Sequence, residues 1–322
     1  MDSLVSVLIA VYNVGDYLRD CLDSVISQTY NNLDIVCVDD GSSDNSWSLI
    51  LEYMKKDSRI RGLQIEHQGL PCARRTALHA AKGLFVAFID GDDFLNPMYI
   101  EYLMRCFKYD ADLACCNHIR VSSSEKANNI VIPCDSFSMT QVSKPYKDRY
   151  YNHHIWGKIY KKEFVPDHQG TNEDLQDGIV DAMVLEQSKY NVFYVNEKLY
   201  YYRDRDNSES KKNVFGRYYN TVNSILLLLN SHPQYGIAAY FAFKLALRCR
   251  WECGYIKNRT MYKDLNHKAF RLLKYILSSD IITWSDKMKC CIFCISNNLY
   301  KWIRKAVDPS MKKVEQSWKQ SE

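Results

Sequence analysis

A chain of 322 residues with 47% apolar and 25% charged residues can bury a full core, which excludes a disordered or fibrous polypeptide. Its net charge of +4 conceals a division: residues 1–214 carry 24 basic against 31 acidic side chains, and residues 215–322 carry 18 against 7. No run approaches the ~20 apolar residues of a spanning helix, and Asp2 with a strand at Val5–Val11 replaces a secretory leader, so the expected setting is cytoplasmic, with the twelve cysteines as buried thiols in a reducing compartment.

Val5–Val11 is a short apolar run, the pattern of a parallel strand covered on both faces. Over Tyr17–Gln28, Leu18, Cys21, Leu22, Val25 and Ile26 recur at helical spacing. Leu33–Val38 reads as a second strand that breaks off at Asp39-Asp40-Gly41-Ser42. Ser43 is placed to cap the next helix, with Trp47, Ile50, Leu51 and Met54 as its expected buried face. A third strand falls near Leu63–Glu66, followed by a helix from Pro71 to Lys82 with Gly83 just past its end. Leu84–Ile89 is a fourth strand and runs into Asp90-Gly91-Asp92-Asp93. After Pro97 a helix turns Ile100, Leu103, Met104 and Phe107 inward, and Leu113–Val121 is again a strand.

This βαβ alternation predicts an α/β fold, a mostly parallel sheet flanked by helices with a Rossmann-like nucleotide-binding half. Trp156–Tyr160 and Val192–Tyr202 read as strands on either side of a helix from about Leu175 to Tyr190. From Val214 the pattern is helical throughout. The expected organisation is a domain over 1–213, with halves 1–121 and 122–213, then a basic helical region over 214–322. The polar stretch Ser208–Asn213 marks the boundary.

Ligands of open parallel sheets bind at the carboxyl ends of the strands. Three polar turns are expected there: Tyr12-Asn13, Asp39-Asp40 and Asp90-Gly91-Asp92-Asp93. Three carboxylates within four residues repel one another unless a cation or a donor intervenes. An all-oxygen set suits a hard divalent ion, Mg²⁺ or Mn²⁺, shared with substrate phosphates. An Asp-rich turn capping the next helix would leave the same residues in the sequence.

The order of motifs narrows this choice. Val5–Asn13, Tyr17-Leu18, Cys21–Val25, Ser27–Tyr30, Ile35–Ser43, Gly69 with Ala73-Arg74, and Phe88–Asp93 stand in sequence. Trp156–Tyr160, Glu173-Asp174-Leu175 and Tyr200–Arg203 follow. Together, over roughly residues 4–210, they resemble the family 2 inverting glycosyltransferases, whose fold is GT-A and which build capsule, exopolysaccharide and lipopolysaccharide.

The resemblance implies a nucleoside-diphosphate sugar as donor, a UDP-sugar first. Val11 and Tyr12 would lie against the base, Asp40 would accept the imide N–H, and Asp39 would join it or brace the loop. Arg74 would approach the diphosphate. Asp90, Gly91 and Asp92 would form the Asp-x-Asp site at ribose and metal, with Asp92 and Asp93 supplying metal oxygens. Asp174 would be the general base, beside Glu173, and Trp156 and Lys158 would belong to the acceptor side. Two positions depart from the family pattern: Ala10 stands where Pro is usual, and Arg75 where Asn is usual, adding charge near the diphosphate.

Competing classes lack their signatures. A nicotinamide dehydrogenase needs Gly-x-Gly-x-x-Gly at the first turn, where Gly15 stands alone. A sugar-phosphate nucleotidyltransferase would carry a Gly-rich first loop. An inactive nucleotide-sugar-binding scaffold of the same fold is the alternative that shares every motif. The basic last third contains no nucleic-acid-binding module. Its amphipathic stretch Leu299–Val307 fits the surface of an anionic membrane, where a lipid-linked saccharide acceptor would lie, or a bundle helix with a solvated face.

Overall fold

The computed structural model describes residues 3–123, 137–142, 154–166, 177–188, 191–205, 214–255 and 258–295. The chain divides into two compact units, at Val214 and Phe215. Ser208–Asn213, Glu173, Asp174 and Leu299–Val307 lie outside the described residues.

In the first unit β1 (Val5–Val11), β2 (Leu33–Asp39), β3 (Ile60–Gln64) and β4 (Phe85–Asp90) are joined by α1 (Gly15–Ile26), α2 (Ser46–Lys56) and α3 (Leu70–Ala80). These four strands pair in parallel in the order β3-β2-β1-β4, as crossover helices require. All seven residues of β1 and of β2 are buried. Leu18, Cys21, Leu22 and Val25 of α1 lie in the same core, each fully buried leucine stabilising by about 2 kcal/mol.

Beyond β4 the sheet is mixed rather than mostly parallel. A two-residue strand, β5 (Phe94–Leu95), was not legible in the sequence pattern. After α4 (Tyr99–Cys106) come β6 (Leu113–Ser122), β7 (Met139–Val142), β8 (Lys158–Lys161), α5 (Asp177–Gln187) and β9 (Val192–Asp204). β8 runs antiparallel between β4 and β6, β6 and β9 are parallel, and β5 and β7 pair antiparallel with β9.

Two local expectations are corrected. The buried face of α2 is Ser46, Leu49, Ile50 and Tyr53, whereas Leu51 and Met54 are exposed. Tyr53 enters the core because its hydroxyl donates to Asp23 Oδ1 on α1 at 2.6 Å, which removes the cost of burying it. Ser43 does not cap α2. Its N–H and hydroxyl both turn to Asn13 Oδ1, while Asp44 accepts from Ser46 N and from Gly15 N at 2.9 Å each. One carboxylate thus satisfies the first turns of both α1 and α2.

The second unit holds α6 (Val214–Ser231), α7 (Gly236–Tyr255), α8 (Arg259–Ser278) and α9 (Trp284–Ile295). No helix among the described residues is long and apolar enough to cross a membrane.

Candidate active site

The parallel register sets Ala10 beside Asp90 and Val11 beside Asp39, so the polar turns after β1, β2 and β4 open at one end of the sheet. Asp40 N donates to Val11 O at 2.9 Å, and Gly91 N to Ala10 O at 3.2 Å, tying the three turns together. A Cβ at Gly91 would meet Ala10 O at 3.1 Å and Val14 Cγ2 at 3.2 Å, so a larger residue would push the turn after β4 a few tenths of an ångström away from β1. Gly41 adopts φ +70°, the left-handed region, where the loop after Asp40 reverses.

The two carboxylates after β2 have different surroundings. Asp40 is fully engaged: Oδ1 accepts from Gln68 N at 2.8 Å, and Oδ2 from Gly69 N at 2.9 Å with His67 Nδ1 also at 2.9 Å. It braces the loop before α3. Asp39 is buried, and its Oδ2 accepts from Gln64 Nε2 at 3.1 Å and Ser42 N at 3.3 Å. Its Oδ1 is buried with no hydrogen-bond partner. An acceptor left unsatisfied in the core is costly, and this oxygen keeps the capacity to accept one further hydrogen bond. Asp39 thus braces the start of its loop through one oxygen, whereas Asp40 spends both of its oxygens in this way. Val11 is buried in the core, and its carbonyl accepts from Asp40 N. Tyr12 is 42% exposed and stacks on His67, with ring centroids 4.2 Å apart.

The acidic turn is neutralised by donors from distant elements. Arg74, buried on α3, places Nη2 2.9 Å from Asp90 Oδ1. Arg205, just beyond β9, places Nη2 2.5 Å from Asp92 Oδ2. Asp93 points inward and is wholly buried, with Oδ1 accepting from Arg203 N at 2.8 Å and Oδ2 from the Tyr200 hydroxyl at 2.7 Å. Burial, with Asp92 and Asp90 nearby, pushes the Asp93 carboxyl well above its ordinary range. The geometry therefore does not bring Asp93 to the open site as a metal oxygen. Asp90 and Asp92, 25% and 15% exposed, are the carboxylates left at the mouth. No group of three metal-ligating side chains occurs among the described residues. A hard ion that takes one or two carboxylates and completes its shell with phosphate and water fits what is there.

Arg203 is the clamp of the site and is 1% exposed. Its Nε donates to Asp92 O at 2.9 Å, Nη1 to Ser123 O at 3.0 Å, and Nη2 to Asp20 Oδ2 at 3.0 Å. Tyr200–Arg203 thereby holds the acidic turn against α1 and the end of β6.

On the expected acceptor side, Trp156 is 4% exposed and stacks with Tyr200, Tyr202 and His154, and of this aromatic group His154 is the exposed member. Lys158 is wholly buried, with Nζ 2.8 Å from Asp181 Oδ1, itself buried, and bonded to His154 O. It anchors α5 to β8 and does not reach the surface. Glu173 and Asp174 fall outside the described residues. His67, Arg205 and Asp181 were missed in the sequence because each acts through a partner far along the chain. Only Arg205, spaced from Arg203 as i, i+2 after a tyrosine-rich strand, left a trace.

Residues 6–164 match the family described as glycosyl transferase family 2. The chain is 34% identical over 223 residues to glycosyltransferase GlyA of Streptococcus pneumoniae, across 66% of this chain and 32% of that protein. It is 33% identical over 217 residues to EpsH of Bacillus subtilis, across 62% of this chain and 60% of that one. The chain thus spans from about a third to three fifths of these relatives' lengths. TarS of S. aureus (residues 1–349), solved in complex with UDP-GlcNAc, superposes with a TM-score of 0.63 at 18% identity, across 84% of this chain and 81% of that one, a likeness of fold. With the ordered motifs, the parallel half-sheet and the turns at its carboxyl end, these similarities identify a family 2 glycosyltransferase domain in this chain.

Proposed function

We propose that this chain transfers a sugar from a nucleoside-diphosphate donor, a UDP-sugar first, to the hydroxyl of a saccharide or lipid-linked saccharide, with inversion, in surface polysaccharide synthesis. The observation that carries it is the convergence of Tyr12, Asp39, Arg74, Asp90 and Asp92 at the carboxyl end of β1, β2 and β4. The complex of TarS with UDP-GlcNAc favours uridine in a neighbour of the same fold. The imide N–H of uracil supplies the donor that Asp39 Oδ1 lacks, and Tyr12 offers a ring face to the base.

Asp174 takes the proton from the acceptor hydroxyl as its oxygen attacks the anomeric carbon. The bond to the diphosphate oxygen breaks on the opposite face, and its electron pair leaves with the nucleoside diphosphate. Asp92, with Asp90 beside it, would hold Mn²⁺ or Mg²⁺, which when bound supplies positive charge to the leaving group. Arg74 fixes Asp90, and Arg203 keeps the turn that bears Asp92 in place.

The test is a panel of UDP-, dTDP- and GDP-sugars screened for binding and slow hydrolysis, with Mn²⁺ and after exhaustive chelation. Activity confined to uracil or thymine nucleotides and abolished by EDTA is expected. Full turnover without any divalent ion would overturn the metal reading. The Asp174→Asn variant should lose 10²-fold or more in turnover, the order of general-base catalysis, while UDP affinity stays within about three-fold. Donor binding without hydrolysis or transfer to any acceptor would favour an inactive scaffold.

A further inference from the structure

We propose that Arg205 is a ligand for the donor's diphosphate, held at the mouth of the site by Asp92 until the donor arrives. The inference rests on the nucleotide-sugar reading of the site. A diphosphate brings negative charge to a turn that already presents Asp90 and Asp92, so a cation must face it there. Three guanidinium groups surround the turn, and their surroundings differ.

Arg74 is 3% exposed and paired with Asp90. Arg203 is 1% exposed and spends Nε, Nη1 and Nη2 on Asp92 O, Ser123 O and Asp20. Neither can turn toward a ligand without giving up buried bonds. Arg205 is 20% exposed and pairs with Asp92 Oδ2 through one nitrogen. Its Nε is buried with no hydrogen-bond partner. The guanidinium carbon lies 5.4 Å from the centroid of the Tyr17 ring, which keeps the charge at the site.

Arg205 thus combines a surface that a ligand can reach with donor capacity that the protein leaves unused. The planar fork of a guanidinium matches two phosphate oxygens, and an incoming diphosphate offers it a second anion beside Asp92. Moving Arg205 from the carboxylate to the phosphate would leave the Asp92 oxygen to a divalent ion. In the donor-free state the same contact screens Asp92 from Asp90.

The experiment compares UDP and UMP binding, by calorimetry at constant Mn²⁺, for the full chain and its Arg205→Gln and Arg205→Lys variants. Thermal unfolding checks that each variant is folded. A phosphate ligand predicts that Arg205→Gln weakens UDP at least ten-fold and UMP by less than about three-fold, with Arg205→Lys between the two. An unchanged UDP-to-UMP affinity ratio in Arg205→Gln would overturn the proposal. Both affinities kept would mean that Arg205 only neutralises Asp92, and both lost together would mean that it only supports the fold. Failure of the parent chain to bind either nucleotide would instead defeat the nucleotide-sugar reading itself, and this proposal with it.

Discussion

At the scale of residues, adjacent carboxylates of one motif do different work. Asp39 and Asp40 are neighbours in sequence, yet Asp40 spends both oxygens on the loop before α3, and Asp39 keeps one oxygen buried and unsatisfied. The expected outcome is a split between two variants. Asp39→Ala should weaken UDP binding by about ten-fold or more, the worth of a hydrogen bond to a charged group, and should cost less stability than Asp40→Ala because it strands two donors, Gln64 Nε2 and Ser42 N, rather than three. Asp40→Ala strands three donors and should lower stability by about 1–3 kcal/mol. Calorimetric titration and thermal denaturation of both variants measure the two effects separately. Equal nucleotide affinity in the Asp39→Ala variant would return the base-reading role to Asp40. Asp92 and Asp93 divide in the same way, one toward the mouth and one into the core, where Tyr200 and Arg203 hold it.

At the scale of elements, the parallel half of the sheet is locked at the end opposite the site by a polar cluster. Asp34 on β2 accepts from Ser6 Oγ on β1 at 2.7 Å, from Arg61 on β3 through Nε at 2.9 Å and Nη2 at 2.7 Å, and from Lys82 N at 2.9 Å. Burial favours the neutral acid, but the Lys82 N–H, the Ser6 hydroxyl and the Arg61 guanidinium together hold the Asp34 carboxyl below its usual range. A depressed carboxylate stabilises the fold above its unfolded pKa, and that contribution is lost as pH falls through the folded value. Denaturant titrations should therefore show stability falling as acid is added below about pH 4, where free aspartate titrates. Asp34→Asn should cost about 1.5–3 kcal/mol at neutral pH, the range for hydrogen bonds to a charged group, and flatten that acid limb. A parent-like acid limb in the variant would show that other carboxylates govern it.

At the scale of the molecule, the two units differ in charge. The membrane contact that the sequence suggests for residues 215–322 stands as a proposal and draws on their 18 basic against 7 acidic residues. α8 supports it with an exposed face that carries Lys263, His267, Phe270, Arg271, Lys274 and Leu277. Phe270 is 53% exposed there, and Trp284 on α9 is 73% exposed. Basic residues near an anionic surface contribute about 1 kcal/mol each, screened within a Debye length. The chain should co-sediment with anionic vesicles at low salt, be released at high salt, and ignore neutral vesicles. Replacing Lys263, Arg271 and Lys274 with Glu should abolish the attachment through α8. Truncation near Asn298 tests the share of the following stretch. Equal recovery with anionic and neutral vesicles would overturn the membrane reading.

The sequence by itself determined the alternation of the first 120 residues, the helices between Val214 and Ile295 and the turns that bear the acids. Periodicity, Gly and Pro placement and motif order are local properties, readable over a few residues at a time. The tertiary structure decided which acid faces which partner. Asp93 meets Tyr200 across 107 positions of sequence, and Asp92 meets Arg205 only after β9 has returned to the sheet. The antiparallel insertion of β8, the short β5 and the inward turn of Tyr53 depend on such distant pairings as well. A side chain's charge and length are written in the sequence, but its burial and its partner arise when strands far apart in the chain become neighbours, and those two things set what each carboxylate of the site can do.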